Sequence, residues 1–252
     1  MKFLILGDIV GKKTVDYLVK NLWSIRKEKK IDMVIANGEN ASDIMGLSAE
    51  DAQALLDGGV DVLTGGNHTL HNRSLYTMLD DDSRVLRPLN LPSAAPGNGE
   101  TVYEVNGYRV LVLNLLGRLN MEHSGNFLEV ADRALARNAG KYDYCVVDLH
   151  ADATAEKLAL GYYLDGKVTA VVGTHTHVQT ADARILPLST AYVTDLGMCG
   201  PTDGILGTDR EVILRRLLTG APQKFTVAEG EIALQGVVVT AENGKALSIE
   251  AF

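Results

Sequence analysis

The chain has 252 residues, 46% hydrophobic and 22% charged, with 25 glycines and 6 prolines, which excludes collagen-like, disordered and coiled-coil classes. Its 24 cationic and 32 acidic side chains sum to −8, which argues against a protein that coats a nucleic-acid backbone without sequence preference. No apolar run approaches the roughly 18 residues of a membrane span. The apolar stretch before Asp8 is too short for a signal-peptide core, so the cytoplasm is the expected compartment. Cys145 and Cys199 stand outside any CxxC spacing and suggest neither a disulfide framework nor a zinc knuckle.

Residues 2–7 read as a strand buried on both faces, followed by a helix with Val15, Leu18, Leu22 and Ile25 on one side and Thr14 as its expected cap. The cations at its end, Arg26, Lys27, Lys29 and Lys30, suit the negative end of the helix dipole and read as a solvated helix end. Residues 33–37 form the next strand. Ser48 and Asp51 resemble a capping box that opens a helix stopped at Gly58 and Gly59. Residues 60–64 give a third strand, with a helix expected over 70–79. Residues 80–100 break the rhythm with Pro88, Pro92 and Pro96 and read as a loop bordering a site, because strand patterning resumes at Thr101. Strands follow at 109–115, 144–149, 170–173 and 191–194, with helices over 127–138 and 154–163. Thr208 and Glu211 form a second capping-box pattern, and Asn243-Gly244 predicts a hairpin between 231–240 and 246–250. The pattern is α/β with an antiparallel ending, read as a single domain over 1–252.

Ligands bind outside the carboxyl ends of the strands in such a sheet. Asp8, Glu39-Asn40, Asn67-His68, Asp148 with His150, and His175 with His177 all fall there, including four of the six histidines. Each has a bland reading alone: Asp8 as a helix cap, Glu39 and Asn40 as turn residues, the histidines as half-buried structural groups. Together these readings require repeated coincidence at one sheet edge. The mixture of imidazole, carboxylate and amide suits a transition-metal site, and the set exceeds the three or four ligands of one catalytic zinc. His175 and His177 would serve two ions by alternation if the backbone there is extended. No GxGxxG, HExxH or GxSxG occurs, and Lys12 replaces the second glycine a phosphate loop needs. His123 and Ser124 are adjacent in a polar loop, a weak candidate nucleophile pair.

The stretches Asp8-Ile9-Val10, Gly38-Glu39-Asn40, Gly66-Asn67-His68-Thr69, His150 and Thr174-His175-Thr176-His177 resemble the D-x-H, G-D, G-N-H-[DE], lone His and G-H-x-H series of the calcineurin-like metallophosphoesterases. Val10, Glu39-Asn40 and Thr69 depart from the general pattern as the YmdB-like branch does, and GDIVG, NGENA, GNHT and VVGTHTHVQTAD resemble that branch over nearly the whole chain. Leu70 stands where many relatives carry tryptophan, and Asp152 where many carry glutamate.

The resemblance implies a four-layer α/β/β/α sandwich with a binuclear metal site at the C-terminal ends of the strands. Asp8, Asn40 and His177 would hold one metal, Asn67, His150 and His175 the other, and Glu39 would bridge. Two divalent or mixed-valence ions are implied, iron or manganese first and zinc as an alternative. The implied reaction is hydrolysis of phosphodiesters, 2′,3′-cyclic nucleotides among them, to phosphomonoesters by a metal-bridging hydroxide, with His68 as general acid. Loops 80–100 and 116–126 are the expected substrate walls, with Arg87, Asn90 and Arg118 as candidate phosphate or ribose contacts. A generic phosphomonoesterase is the nearest enzymatic alternative. A regulatory module that binds metal and a nucleotide or RNA end is the alternative of another class. The hairpin tail offers an interface for a homo-oligomer.

Overall fold

The computed structural model describes residues 1–42, 44–121 and 124–252, arranged as two sheets stacked face to face with helices outside both. The first sheet is built on β1 (Lys2–Val10), with β2 (Met33–Asn40) and then β3 (Val62–Thr64) parallel to it on one side. The second runs β4 (Glu100–Val105), β5 (Tyr108–Leu116), β6 (Tyr144–His150), β7 (Ala170–Thr174), β9 (Ala191–Val193) and β8 (Arg184–Ile185). Its four inner strands are parallel, and β4 and β8 pair antiparallel at the edges. The other side of β1 is divided between two strands. There β10 (Met198–Pro201) pairs in parallel at Asp8 and Ile9, while β12 (Gly236–Glu242) runs antiparallel against Lys2 to Leu6. Beyond them lie β11 (Ile232–Ala233) and β13 (Lys245–Ala251).

Alternation along the strands creates the layers. Phe3 and Ile5 of β1 face Val110, Val112 and Val146 of the second sheet. Leu4 and Leu6 face outward, onto Val15, Leu18 and Leu22 of α1 (Lys12–Lys29) and Leu55 of α2 (Ala49–Asp57). On the far side, Leu111, Leu113 and Leu115 pack on Phe127 and Ala131 of α4 (Phe127–Arg137) and on Leu160 and Leu164 of α5 (Thr154–Leu164). Full burial contributes roughly 1.5–3 kcal/mol for each large apolar side chain. The expected four-layer α/β/β/α sandwich is what these three apolar interfaces build. Two further helices, α3 (Tyr76–Asp81) and α6 (Arg210–Thr219), lie on connections.

Several local expectations change. The first helix opens three residues earlier than a Thr14 cap would allow, after Gly11 at φ 80°, and the Thr14 hydroxyl instead donates to Val10 O at 2.7 Å. Ser48 does cap α2, accepting from the Asp51 amide. The helix expected over 70–79 begins later, because the Asn72 side chain accepts from Ser74 N and starts a single 3₁₀ turn, Arg73–Leu75, ahead of α3. The cap of α6 is Asp209 and not Thr208; Thr208 is committed to bridges with Ile205 and Val227. Asn243 and Gly244 take φ of 50° and 79°, the left-handed pair that the expected hairpin turn requires.

Candidate metal centre

The parallel strands of both sheets end on one crest. Asp8 and Glu39-Asn40 lie at the ends of β1 and β2, Asn67 and His68 follow β3, His150 ends β6, and His175 and His177 follow β7. His150 Nε2 stands 3.1 Å from Glu39 Oε1, 3.1 Å from Asn67 Oδ1 and 3.0 Å from His175 Nδ1. Glu39, His150 and His175 place their donor atoms within 4.8 Å of one another. Asp8 Oδ1 lies 3.8 Å from His177 Nε2, and Asn40 Nδ2 lies 3.3 Å from that same nitrogen. Glycine is required at 66, where a Cβ would fall 2.1 Å from Glu39 Oε2 and 2.4 Å from the His150 ring.

Hydrogen bonds beneath the crest fix which nitrogen of His150 faces it. Asp148 accepts from Thr174 Oγ1 at 2.8 Å, from Thr64 Oγ1 at 2.6 Å and from Asn37 Nδ2 at 3.1 Å. The single Thr174 proton is thereby used, so the hydroxyl must accept the Nδ1 proton of His150 at 2.9 Å. Nε2 is left to face the oxygens of Glu39 and Asn67, which are acceptors. Nε2, Glu39 Oε1 and Asn67 Oδ1 therefore converge within 3.1 Å of Nε2, where either a second ring proton or a bound cation would hold them together.

The ionisation of the site points the same way. Burial works to lower the His150 pKa, but the carboxylates of Glu39, Asp8 and Asp148 outweigh it and raise it to about 9. Glu39 is pulled well below the usual carboxylate value: burial opposes this, and His150 and His68 overcome it. Burial and the adjacent His150 push His175 down to about 4, which keeps its ring neutral. Burial lifts Asp8 to about 6 against the pull of His177 and His150. Asp8 Oδ2 accepts from His175 N at 3.0 Å, whereas Oδ1 is fully buried with no partner among the described residues. An orphaned carboxylate oxygen beside an imidazole, next to a crowd of acceptors, fits a divalent cation by donor chemistry.

The His175-Thr176-His177 backbone is not extended, which corrects the expected alternation. His175 and His177 take φ of 101° and 62°. The turn is held from below, where Asp195 Oδ2 accepts from Thr176 N at 3.1 Å and Thr176 Oγ1 at 2.7 Å. The same oxygen pairs with Lys157 Nζ at 2.7 Å, and Oδ1 accepts from Gly197 N at 2.8 Å. Sequence reasoning singles out neither Asp195 nor Lys157, although Lys157 shares a helical face with Leu160 and Leu164.

His68 stands beside the cluster, its Nδ1 3.0 Å from Asn40 Oδ1 and 3.3 Å from Glu39 Oε1. Its side chain is 23% exposed, and it lines two cavities. One, about 320 Å³, is walled by Glu39, Asn40, His175 and His177. The other, about 690 Å³, is lined by Asn67, Leu70, His71, Leu91 and Pro92 among others. The three loop candidates are placed elsewhere. Arg87 is buried and donates to Pro88 O and Leu89 O, and Asn90 spends its amide on Leu116 and Gly125. Arg118 is exposed, its backbone amide donating to Glu156. None of the three lines either cavity among the described residues, and His123 of the His123-Ser124 pair lies outside them.

Comparison with known proteins places the whole chain beside several relatives. The 2′,3′-cyclic-nucleotide 2′-phosphodiesterase of Bacillus subtilis (strain 168) is 44% identical over 252 residues, covering 99% of this chain and 96% of that protein. The crystal structure of a hypothetical protein from Thermus thermophilus superposes with a TM-score of 0.94 at 39% identity, over 100% of this chain and 98% of its own. The crystal structure of a novel phosphatase from Mycoplasma pneumoniae gives 0.92 at 34% identity, over 100% and 92%. Residues 4–252 match the family described as YmdB-like protein, and the chain belongs to that family.

Proposed function

We propose that this protein is a metal-dependent phosphodiesterase of the metallophosphoesterase type that opens 2′,3′-cyclic nucleotides to nucleoside phosphomonoesters. The observation that carries it is the convergence of Glu39, Asn67, His150 and His175 on one point, with Nδ1 of His150 already engaged by Thr174 beneath it. The name of the Bacillus subtilis relative supports the substrate class. Asn67, His150 and His175 would hold one ion, Asp8, Asn40 and His177 a second, with Glu39 between them; iron or manganese are the favoured identities and zinc the alternative. When bound, such ions neutralise phosphoryl charge and make water nucleophilic at neutral pH.

The remaining steps belong to the protein. Asn40 orients His68 through Nδ1, leaving the opposite ring nitrogen to protonate the departing ribose oxygen. Asp148 and Thr174 hold the His150 tautomer, and Asp195 holds the turn that presents His175 and His177. The enzyme acts as one catalytic domain over 1–252 in the cytoplasm, on small nucleotides and on RNA ends that carry a cyclic phosphate, and the tail hairpin offers a homo-oligomer interface. No helix among the described residues is long and apolar enough to cross a membrane.

The test is elemental analysis run with 2′,3′-cyclic AMP hydrolysis on the same preparation. Near two transition metals per chain with turnover, both lost in Glu39→Ala, is the expected result. Absence of metal and of turnover after reconstitution with manganese or iron overturns the proposal.

A further inference from the structure

The 690 Å³ cavity shares Asn67 and His68 with the candidate metal centre but takes the rest of its wall from elsewhere. Leu70 lies on one side, and Leu91, Pro92 and Ala95 come from the loop that Asn90 pins to Leu116 and Gly125. The exposed His71 also lines it, its ring 4.9 Å from that of His68 and tilted by 35°. The volume falls in the roughly 300–1,000 Å³ range of small-molecule sites, far more than a phosphate alone requires. The smaller cavity has the ligand candidates Glu39, Asn40, His175 and His177 in its wall and would take the phosphate.

We infer that the larger cleft seats the nucleobase of the substrate, with the base between Leu70 and the Leu91–Ala95 wall and its polar edge toward His71. This rests on the proposed phosphodiesterase reading. An acid must stand next to the oxygen that leaves, and that oxygen carries the nucleoside. His68 lies at the boundary of the two cavities, so a phosphate on the metal side sends the nucleoside past His68 into the larger one. A planar heterocycle suits the walls there: its faces meet aliphatic carbon, and its edge meets an imidazole that can donate or accept. The fixed course of the 88–95 loop makes the cleft a preformed slot, which lowers the ordering cost of binding.

The test uses the protein as purified, with two wall-filling variants, Ala95→Trp and Leu91→Trp, each checked for a cooperative thermal transition. Adenosine, which carries no phosphate, is titrated by saturation-transfer NMR; it binds the wild type and binds the filled variants at least about 10-fold more weakly. In parallel, kcat/KM is measured for 2′,3′-cyclic AMP and for methyl riboside 2′,3′-cyclic phosphate, which lacks the base. The ratio of the two falls about 10-fold or more when the cleft is filled. An unchanged ratio in both folded variants, or adenosine binding that ignores them, overturns the assignment. A wild type that hydrolyses neither ester removes the phosphodiesterase reading instead, and the adenosine titration then decides the cleft alone.

Discussion

Lys157 Nζ lies 2.7 Å from Asp195 Oδ2, with 1% and 0% of the two side chains exposed, directly under the turn that carries His175 and His177. Breaking such a pair from one side leaves an uncompensated buried charge and costs about 3–5 kcal/mol. Asp195→Asn is therefore expected to lower unfolding stability by that order, and Lys157→Met in the same chain to restore most of it. Urea unfolding of the wild type, single and double variants checks this. A single variant within experimental error of wild type would show that the pair holds nothing.

Thr174→Val removes the hydroxyl that joins His150 Nδ1 to Asp148 while keeping the volume. Loss of an outer partner of this kind weakens metal binding by about 10–100-fold. Thr174→Ser is expected to retain wild-type affinity. Manganese titration by calorimetry distinguishes the two variants, and equal affinity in Val and Ser forms would rule out the hydroxyl as the orienting group.

His68→Ala is expected to lower kcat by roughly 10²–10⁴-fold, the usual worth of a general acid. Metal content should stay at the wild-type level, because the imidazole touches the ligand candidates Asn40 and Glu39 without itself being one of the groups that would hold an ion. Steady-state kinetics beside elemental analysis tests both halves; near-normal kcat with metal retained defeats the acid role.

Asp51 sits at the α2 entrance, where burial raises its pKa but Ser42, Lys12 and Ser48 outweigh it and bring it below the usual value. A carboxyl with a depressed folded pKa stabilises the fold above its unfolded value of about 3.9 and loses that contribution as pH falls through the folded value. Asp51→Asn should thus be less stable than wild type at neutral pH, with the gap closing below about pH 4. Denaturation midpoints measured across that window would show a pH-independent gap if the charge is irrelevant.

The ligand candidates are legible in the sequence because parallel strands deliver their last residues to one edge, and because that edge collects residue types that rarely gather without chemistry to do. The support beneath them is harder to read. Asp148 does carry a signal, a carboxylate inside the apolar run of β6 two positions before His150 and therefore on its face. Asp195 carries none, since its partners Lys157 and Thr176 come from α5 and from the turn after β7 and meet only in the folded chain. The same long-range contact decides the left-handed turn at His175, which local spacing reads as extended. Arg87 and Asn90 show the reverse case: polar residues in a loop look like ligand contacts until tertiary structure reveals carbonyls that need their donors.

Pairing of β12 with β1 also bears on when the centre can form. Asp8 sits on a strand that leaves the ribosome ahead of every other in its sheet, yet Lys2 to Leu6 have their edge covered only by Gly236 to Thr240, made long afterwards. The Met1 amino group closes the same seam by donating to Ala241 O. Synthesis of the centre's residues is complete by His177, but the strand that positions Asp8 keeps an open edge until the tail hairpin docks. A chain ending before that hairpin would therefore hold every ligand candidate while Lys2 to Leu6 stayed unpaired along one edge.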